Sequence, residues 1–263
     1  MNASTTVVHA GKKTCHPTLV LDIPHAGRIY PVDYTYICTK VSLQRTEDRF
    51  ADLLFESLLP MASASVIANF SRTYFDINRS PFIYPGPVIR TKCVDGSTIY
   101  KEEPSKEQYY QRLEDCLVPY MDSLRKSVQD VLLQHGHVIH LNLHTFCSYR
   151  IDKYSGVREK HPFQIYIGDG NGTTCSDFVT DAFICGFRDA GFSVSLNGPF
   201  PGGYIVREVG NPSKRIHSLQ IEVMRDVYLK DDLHLDSKKL KTAQQKINTA
   251  VSSCLSDLSQ VIS

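Results

Sequence analysis

Short runs of apolar and β-branched residues recur along the chain at Thr18–Ile23, Ser65–Phe70, His137–Thr145, Phe163–Ile167, Phe192–Leu196 and His217–Val223. Their length and composition predict buried strands. Between them the apolar residues step by three and four, which predicts helices. Over 45–58 the stripe is Phe50, Leu53, Leu54 and Leu58, with Thr46 as N-cap and the acids Glu47 and Asp48 in the first turn, where the helix dipole favours them. The longest helical pattern opens at Pro104 and runs through Tyr109, Leu113, Leu117, Tyr120, Leu124, Val128, Val131 and Leu132; Pro119 should kink or split it. Further helices are predicted over 176–190 and 236–262, the last turning Leu240, Ile247, Val251, Leu255 and Leu258 inward. Residues 82–103 contain Pro85, Gly86, Pro87 and Gly96 and no clean period, so they read as a long loop or insertion, a common place for substrate contacts or a lid. Strands alternating with helices predict a single domain over 1–263, a three-layer α/β/α fold with a mixed, largely parallel sheet.

Sheets of this class collect ligands beyond the carboxyl ends of their strands. His144 stands at the end of one predicted strand. His25 stands at the end of another, where Pro24 and Gly27 break the run. A lone histidine there would merely cap a strand, but these two are accompanied. Glu222 lies among apolar neighbours in the last strand, which is costly for a carboxylate unless a cation or partner is near. It is either a salt-bridge partner of Arg225 or a poised general base. The segment 71–81 interleaves Arg72, Asp76, Asn78 and Arg79 with aromatics, which suits either a surface ion pair or recognition of a carboxylate by the planar arginine fork. Two histidines and one carboxylate form the ligand set of a catalytic zinc with an open position for water, and either Glu47 or Asp48 could supply the carboxylate. Glu222 would then take the proton from water, with Arg72 or Arg79 stabilising negative charge. The glycine turn at 168–172 lacks the rest of a phosphate-binding loop, and no Gly-x-Ser-x-Gly elbow is present.

Composition narrows the class. Among 263 residues, 29 Lys and Arg oppose 28 Asp and Glu, a formal charge of +1. No basic block or net field directs the chain to nucleic acid or a membrane surface. The eight cysteines are scattered without a Cys-x-x-Cys pair, which fits reduced thiols in the cytoplasm. The opening Met1–Thr6 and the following Lys12 and Lys13 show no apolar core of a secretory signal, and no stretch of about 18 apolar residues exists to span a bilayer. The expected partner is a small molecule bearing carboxylates; the sequence fixes no oligomeric state.

Several words then occur in a fixed order: Ile23-Pro24-His25-Ala26-Gly27, Thr46-Glu47-Asp48, Asp76-Ile77-Asn78-Arg79, Leu143-His144-Thr145, Asn197 through Tyr204-Ile205, Gly210-Asn211-Pro212, and Gln220-Ile221-Glu222 running to Tyr228. Together these resemble the N-formylglutamate amidohydrolase family, which is related to the zinc carboxypeptidases and aspartoacylases. The resemblance implies that fold and one Zn2+ per chain, or another divalent metal, on His25, His144 and Asp48, with Glu47 as the alternative carboxylate. It implies Glu222 as general base, Arg72 beside the developing oxyanion, and Asn78 and Arg79 on a substrate carboxylate. Arg90, Asn197 and Tyr204 complete the expected substrate contacts. The reaction so implied is hydrolysis of N-formyl-L-glutamate to formate and glutamate, a step of histidine degradation. The chain departs from the family wording at Leu143-His144-Thr145, at Arg28, where carboxypeptidases carry a glutamate, and at Phe163 after Pro162. Those departures bear on which N-acyl amino acid is taken, so a zinc amidase or carboxypeptidase-like hydrolase for another acyl substrate is the second reading. A third is a non-catalytic protein that holds an acidic amino acid.

Overall fold

In a computed structural model, which describes residues 5–9, 16–151, 158–231 and 233–262, the apolar runs become strands of one sheet. Lys12, Lys13 and Cys15 lie outside the described residues. The strands are β1 (Thr5–His9), β2 (His16–Ile23), β3 (Ala62–Ala68), β4 (Val138–Phe146), β7 (Ile165–Gly168), β8 (Val194–Leu196) and β9 (Ile216–Met224), in the spatial order β1-β3-β2-β4-β9-β7-β8. The pairs β3–β2, β2–β4, β4–β9 and β7–β8 are parallel, whereas β1–β3 and β9–β7 are antiparallel. The mixed, largely parallel α/β sheet expected from the sequence is therefore present. A small hairpin of β5 (Tyr149–Ile151) and β6 (Arg158–Lys160) stands apart from it. Neither that hairpin nor β1 is foreseen from the apolar pattern.

Side chains alternate across the sheet, and the three central strands use the alternation to separate two surfaces. Leu19, Leu21 and Ile23 of β2, Ile139, Leu141 and Leu143 of β4, and Leu219, Ile221 and Val223 of β9 join one apolar cluster. That cluster is covered by α5 (Asp177–Asp189) and α7 (Ser237–Ile262), which contribute Phe183, Phe187, Ile247 and Val251. The residues between them face the other way, toward α4 (Val118–His135), whose Tyr120, Leu124, Val128 and Val131 belong to the second cluster. On that face Asp22, His140, Asn142, His144, Ser218, Gln220 and Glu222 are all buried. One face of the sheet centre is thus dry and apolar, and the other carries a buried polar column that climbs to the carboxyl ends of the strands.

The helices depart from expectation in two places. The stretch 45–58 is not one helix. Instead α1 (Lys40–Thr46) ends where the predicted helix should begin, α2 (Ala51–Leu54) is a single turn, and a 3-10 segment (Glu56–Met61) follows. Thr46 is the last residue of α1, its hydroxyl donating to the Ser42 carbonyl, and Thr39 is the N-cap. Glu47 is extended and Phe50 left-handed (φ 60°), so Glu47 and Asp48 sit in a break between helices. The stripe does pack, since Leu54 and Leu58 are fully buried. The break has a tertiary cause: Arg225 donates to the Arg45 carbonyl at 2.8 Å and to that of Glu47, and Tyr228 to that of Arg49 at 2.6 Å. Carbonyls that a continuous helix would satisfy internally are held from outside.

The second departure concerns residue 104. The helix α3 (Lys106–Arg112) is capped by Ser105, which exchanges hydrogen bonds with Gln108, so Pro104 lies before the cap rather than in the first turn. The expected split near Pro119 is made by a π-helical segment (Leu113–Leu117) that leaves Pro119 in the first turn of α4, where its missing N–H costs nothing. No helix or strand is assigned over 82–103. No described helix is long and apolar enough to cross a membrane.

Contact between α5 and α7 is closest at Gly186. A Cβ there would lie 2.3 Å from Cys254 Sγ and 3.1 Å from the Ala250 carbonyl oxygen. Gly186→Ala should lower stability by about 1–3 kcal/mol through overpacking, read as a fall in the urea midpoint. Turnover of the folded variant should not change, because both helices lie on the face away from the polar column.

Candidate active site

His25 follows β2 in a turn pressed hard against the neighbouring chain. Gly27 has no room for a side chain, since a Cβ would meet the Phe70 carbonyl oxygen at 2.2 Å. The Ile29 N–H then donates to the Asn69 carbonyl at 2.9 Å, which fixes the turn and with it His25. His144 lies in β4, two residues before its end and directly opposite Glu222 of β9. Asp48 comes from the helix break described above. Its N–H donates to the His25 carbonyl at 3.3 Å, and its Oδ2 accepts from the Thr145 N–H at 3.0 Å.

These three residues converge. His144 Nδ1 lies 3.0 Å from Asp48 Oδ2, and His25 Nδ1 lies 3.7 Å from the same oxygen. The far ring nitrogens are occupied: His25 Nε2 is 2.8 Å from Asp76 Oδ1, and His144 Nε2 is 2.9 Å from Asn142 Oδ1. Each of those partners accepts, so the hydrogen-bond network assigns the protons to Nε2 and leaves a lone pair on each Nδ1. Asn78 Nδ2, 3.1 Å from His144 Nε2, then only touches that nitrogen and donates to Gln220 Oε1 at 3.3 Å instead. Two imidazole lone pairs and one carboxylate oxygen therefore face one another, all three residues being almost fully buried. His25 Nδ1 has no hydrogen-bond partner at all. Such a set calls for a cation between its members, and the three ligand atoms lie within 4.8 Å of one another. The residues fit a divalent metal with nitrogen and oxygen ligands, each histidine oriented by a second partner.

Glu47 does not join them. Its Oε1 accepts from Tyr30 Oη at 2.5 Å and Ser71 Oγ at 2.7 Å on the far side of the break. The two carboxylates point different ways, Glu47 to Tyr30 and Ser71 and Asp48 to the histidines, so of the two acids it is Asp48 that faces the site. Burial pushes the Glu47 carboxyl above its ordinary range, against the pull of those hydroxyls. Burial would also raise Asp48, but the His144 and His25 imidazoles beside it and the charge of Arg72 outweigh it and hold the carboxyl well below its ordinary range.

Arg72 bridges two acids, donating from Nη1 to Asp48 Oδ1 at 3.0 Å and from Nη2 to Asp76 Oδ2 at 2.8 Å, while its Nε has no partner. Asp76 is fully buried, so the surface ion pair considered from the sequence is instead an internal one. Arg79 and Arg90 approach its Oδ2 at 3.9 and 3.4 Å. Arg72 lowers the pKa of Arg90 by like-charge repulsion, with burial adding to it. Glu222 donates nothing and receives Gln220 Nε2 at 3.0 Å. Gln220 is held in that orientation by the Gly203 N–H, which donates to its Oε1 at 2.8 Å. Burial, the largest influence, pushes the Glu222 carboxyl up to about 7. Arg225, the alternative ion-pair partner for it, directs its guanidinium to the carbonyls of the 45–47 segment.

A cavity of about 320 Å³ opens over this cluster, within the range of small-molecule sites at about 300–1,000 Å³. Its walls include four arginines, Arg72, Arg79, Arg90 and Arg225, and the aromatics Phe146, His161 and Phe200. His25, Asp48, Arg72, Asn78, Arg79, Arg90, His144 and Glu222 all line it. Asn197 and Tyr204 do not. Asn197, in a left-handed turn (φ 53°), exchanges hydrogen bonds with Asp169, and Tyr204 begins α6 (Tyr204–Val209) with its ring against Phe82. Asn78, expected on a substrate carboxylate, lines the cavity as a buried residue, its Oδ1 accepting from the Ile205 N–H at 3.0 Å. Gly203 admits it, since a Cβ at 203 would collide with the Asn78 amide at 2.4 Å. Asn142 and Gln220 receive no role from the sequence, and Asp76 and Arg225 enter there only as candidate ion-pair partners. Their signal was a polar residue at alternate positions of an apolar run, or membership of a word already noted.

A family model for N-formylglutamate amidohydrolase matches residues 18–229. An N-formylglutamate deformylase of Pseudomonas putida is 26% identical over 224 residues, covering 81% of this chain and 82% of that protein. The crystal structure of an N-formylglutamate amidohydrolase from Ralstonia eutropha superposes with a TM-score of 0.83 at 26% identity, over 98% of this chain and 97% of the other. A solved gene product of Agrobacterium tumefaciens shares the fold, with a TM-score of 0.73 at 20% identity over 100% and 97% of the two chains.

Stability should carry the mark of Asp76. Burial would raise its carboxyl, but Arg72 first and His25 next hold it well below the ordinary 3.8. A depressed folded-state pKa stabilises fully above the unfolded-state value and loses that contribution as pH falls through the folded one. The stability gap between the metal-free protein and Asp76→Asn, by denaturant titration, should therefore be widest near neutrality and narrow steadily below about pH 4. A gap independent of pH would show that the charge of Asp76 is not what stabilises.

Proposed function

The chain belongs to the N-formylglutamate amidohydrolase family, and from that premise we propose that it hydrolyses N-formyl-L-glutamate to formate and L-glutamate with a zinc ion held by His25, Asp48 and His144. The observation that carries the metal is the meeting of two imidazole Nδ1 atoms, each with its Nε2 turned to an acceptor, and a carboxylate oxygen in a buried cluster. Two histidines and a carboxylate are the ligand set of hydrolytic zinc sites that keep a position open, although other first-row divalent ions accept the same donors. When bound, zinc supplies Lewis acidity and a lowered pKa for water.

The remaining chemistry falls to side chains of the chain itself. Glu222, raised to about 7 by burial and held by Gln220, is poised to take a proton from the attacking water. The water oxygen joins the formyl carbon, the amide C–N bond breaks, and Glu222 returns the proton to the departing amine. Formate and a free amino group result. Arg72 lines the cavity while its two Nη groups hold Asp48 and Asp76. It is placed to support the two carboxylates and to set its positive charge beside negative charge developing on the carbonyl oxygen. Arg79, half-exposed, and Arg90 form an electropositive rim suited to the two carboxylates of N-formyl-glutamate. Asn78, by contrast, serves the floor of the site, since its amide is engaged by Gln220 and Ile205.

Formate release from N-formyl-L-glutamate by metal-stripped protein, before and after adding zinc, tests the reading. Release only with zinc is expected. A folded protein that releases none in either state would overturn the assignment, and equal release in both would remove the metal from it. Glu222→Gln should bind zinc as the parent does while losing about 10²–10⁴-fold in kcat, the usual worth of a positioned proton carrier. Turnover near normal in that variant would end the role of Glu222 as base.

A further inference from the structure

The polar column beneath the site contains one carboxylate that the chemistry above does not use. Asp22 of β2 is fully buried and lies opposite Asn142 of β4 in the sheet register. Its Oδ1 faces His140 Nε2 at 2.8 Å, and its Oδ2 accepts from Tyr120 Oη at 2.8 Å. Asn142 Nδ2 lies 2.9 Å from each of the two oxygens. Were the Asn142 amide turned over, its oxygen would stand against both carboxylate oxygens with no proton between them. Asp22 therefore fixes which end of Asn142 is which, and the end left over is Oδ1, 2.9 Å from His144 Nε2. That oxygen is nearer to Nε2 than the Asn78 amide nitrogen at 3.1 Å, which has Gln220 Oε1 as its own acceptor. Nε2 is therefore placed to donate to Asn142, and Nδ1 to turn its lone pair to Asp48.

We propose that Asp22 is a positioning residue: acting through Asn142, it sets the tautomer of His144 and so the affinity of the His25–Asp48–His144 group for a divalent metal. The proposal rests on the metal reading above. His140 and Tyr120 hold the same carboxylate from its other sides, and His140 Nδ1 is itself tied to Ser218 Oγ at 2.8 Å, so Asp22 is anchored independently of Asn142. The relay spans β2 to β4 entirely inside the protein. No solvent reaches it to offer Asn142 another partner.

Zinc affinity of the full chain, measured by competition with a chromophoric chelator, tests the relay without reference to turnover. The parent protein comes first, because failure of the parent to bind zinc would sink the metal reading rather than this one. Asp22→Asn frees the Asn142 amide to turn, and zinc affinity should fall by about tenfold, the low end of what outer-shell partners of metal-bound histidines contribute. The exchange D22N/N142D should recover affinity, because a carboxylate at 142 accepts from His144 Nε2 whichever way it turns. Tyr120→Phe removes a hydrogen bond from the same carboxylate and should lower thermal stability while zinc affinity stays that of the parent. Parent-like affinity in folded Asp22→Asn would overturn the proposal, as would an equal loss in Tyr120→Phe with no recovery in the exchange. Should Asp22→Asn fail to fold, Asn142→Ala carries the test, with the same tenfold loss expected and unchanged affinity overturning it.

Discussion

Two imidazole nitrogens and a carboxylate oxygen, each with a lone pair and none with a proton to share, meet in the interior of this protein. Left alone, that arrangement repels. It persists because each member is held from behind: His25 by Asp76, His144 by Asn142, and Asp48 by Arg72 and the Thr145 N–H. Orientation of this kind, with the far nitrogen of each histidine engaged, is the arrangement that metal-binding histidines adopt, and the metal proposed above rests on it. Arg225 acts at longer range. By gripping carbonyls of residues 45 and 47 it breaks what would otherwise be a helix and delivers Asp48 just after the extended Glu47.

Charge around the cluster is arranged in the same spirit. Asp48 and Asp76 are held ionised by the cations beside them, against the cost of burial. Glu222, equally buried but with only an amide donating to it, is instead pushed up to about 7. Environment thus separates the acids into two held ionised and one raised toward neutrality, the division expected where similar groups take different roles and the one the proposed general base needs. On the open side, Arg72 and Arg90 stand close enough for one to depress the other. Cations kept in mutual repulsion at a cavity mouth are stabilised by whatever anion enters, and a substrate with two carboxylates would relieve them.

Much of this was legible in the sequence because it rests on short-range rules. Apolar runs of strand length gave the sheet, and breaks at Pro24-His25-Ala26-Gly27 and after Leu143-His144 placed two histidines at strand ends. Glu222 announced itself as a carboxylate in an apolar run. What was not legible depends on contacts between distant segments. Glu47 and Asp48 are equivalent as letters, and only the Arg225 grip decides that one turns to Tyr30 and the other to His144. The stripe Phe50, Leu53, Leu54 and Leu58 satisfies helical spacing whether or not the chain is continuous, so periodicity could not report the break. Asn78 sits in the word that names an arginine grip, and no letter of that word reports that its amide is engaged by Gln220 and the Ile205 N–H at the cavity wall. Asn197 and Tyr204 likewise belong to a recognisable word whose structural content is a turn and a helix start rather than a wall of the cavity.

The buried polar column follows from the same alternation that makes the strands readable. His144 and Glu222 face the cavity, so every second residue upstream in β4 and β9 shares their face and lies beneath the site. Apolar residues at those places, like Val20 and Val138 on the same face, would pack against α4 at no polar cost. The chain instead carries Asp22, His140, Asn142, Ser218 and Gln220 there, and fills the positions with mutual hydrogen bonds. A buried polar network of this kind is seldom the most stable filling of a core, since apolar residues of similar volume often do as well or better. What an apolar filling lacks is direction. A leucine at 142 would leave His144 Nε2 without an acceptor and its proton free to move to Nδ1, and at 220 it would leave Glu222 without its donor. Stability alone does not select these residues at the centre of the sheet; the need to aim one imidazole and one carboxylate does.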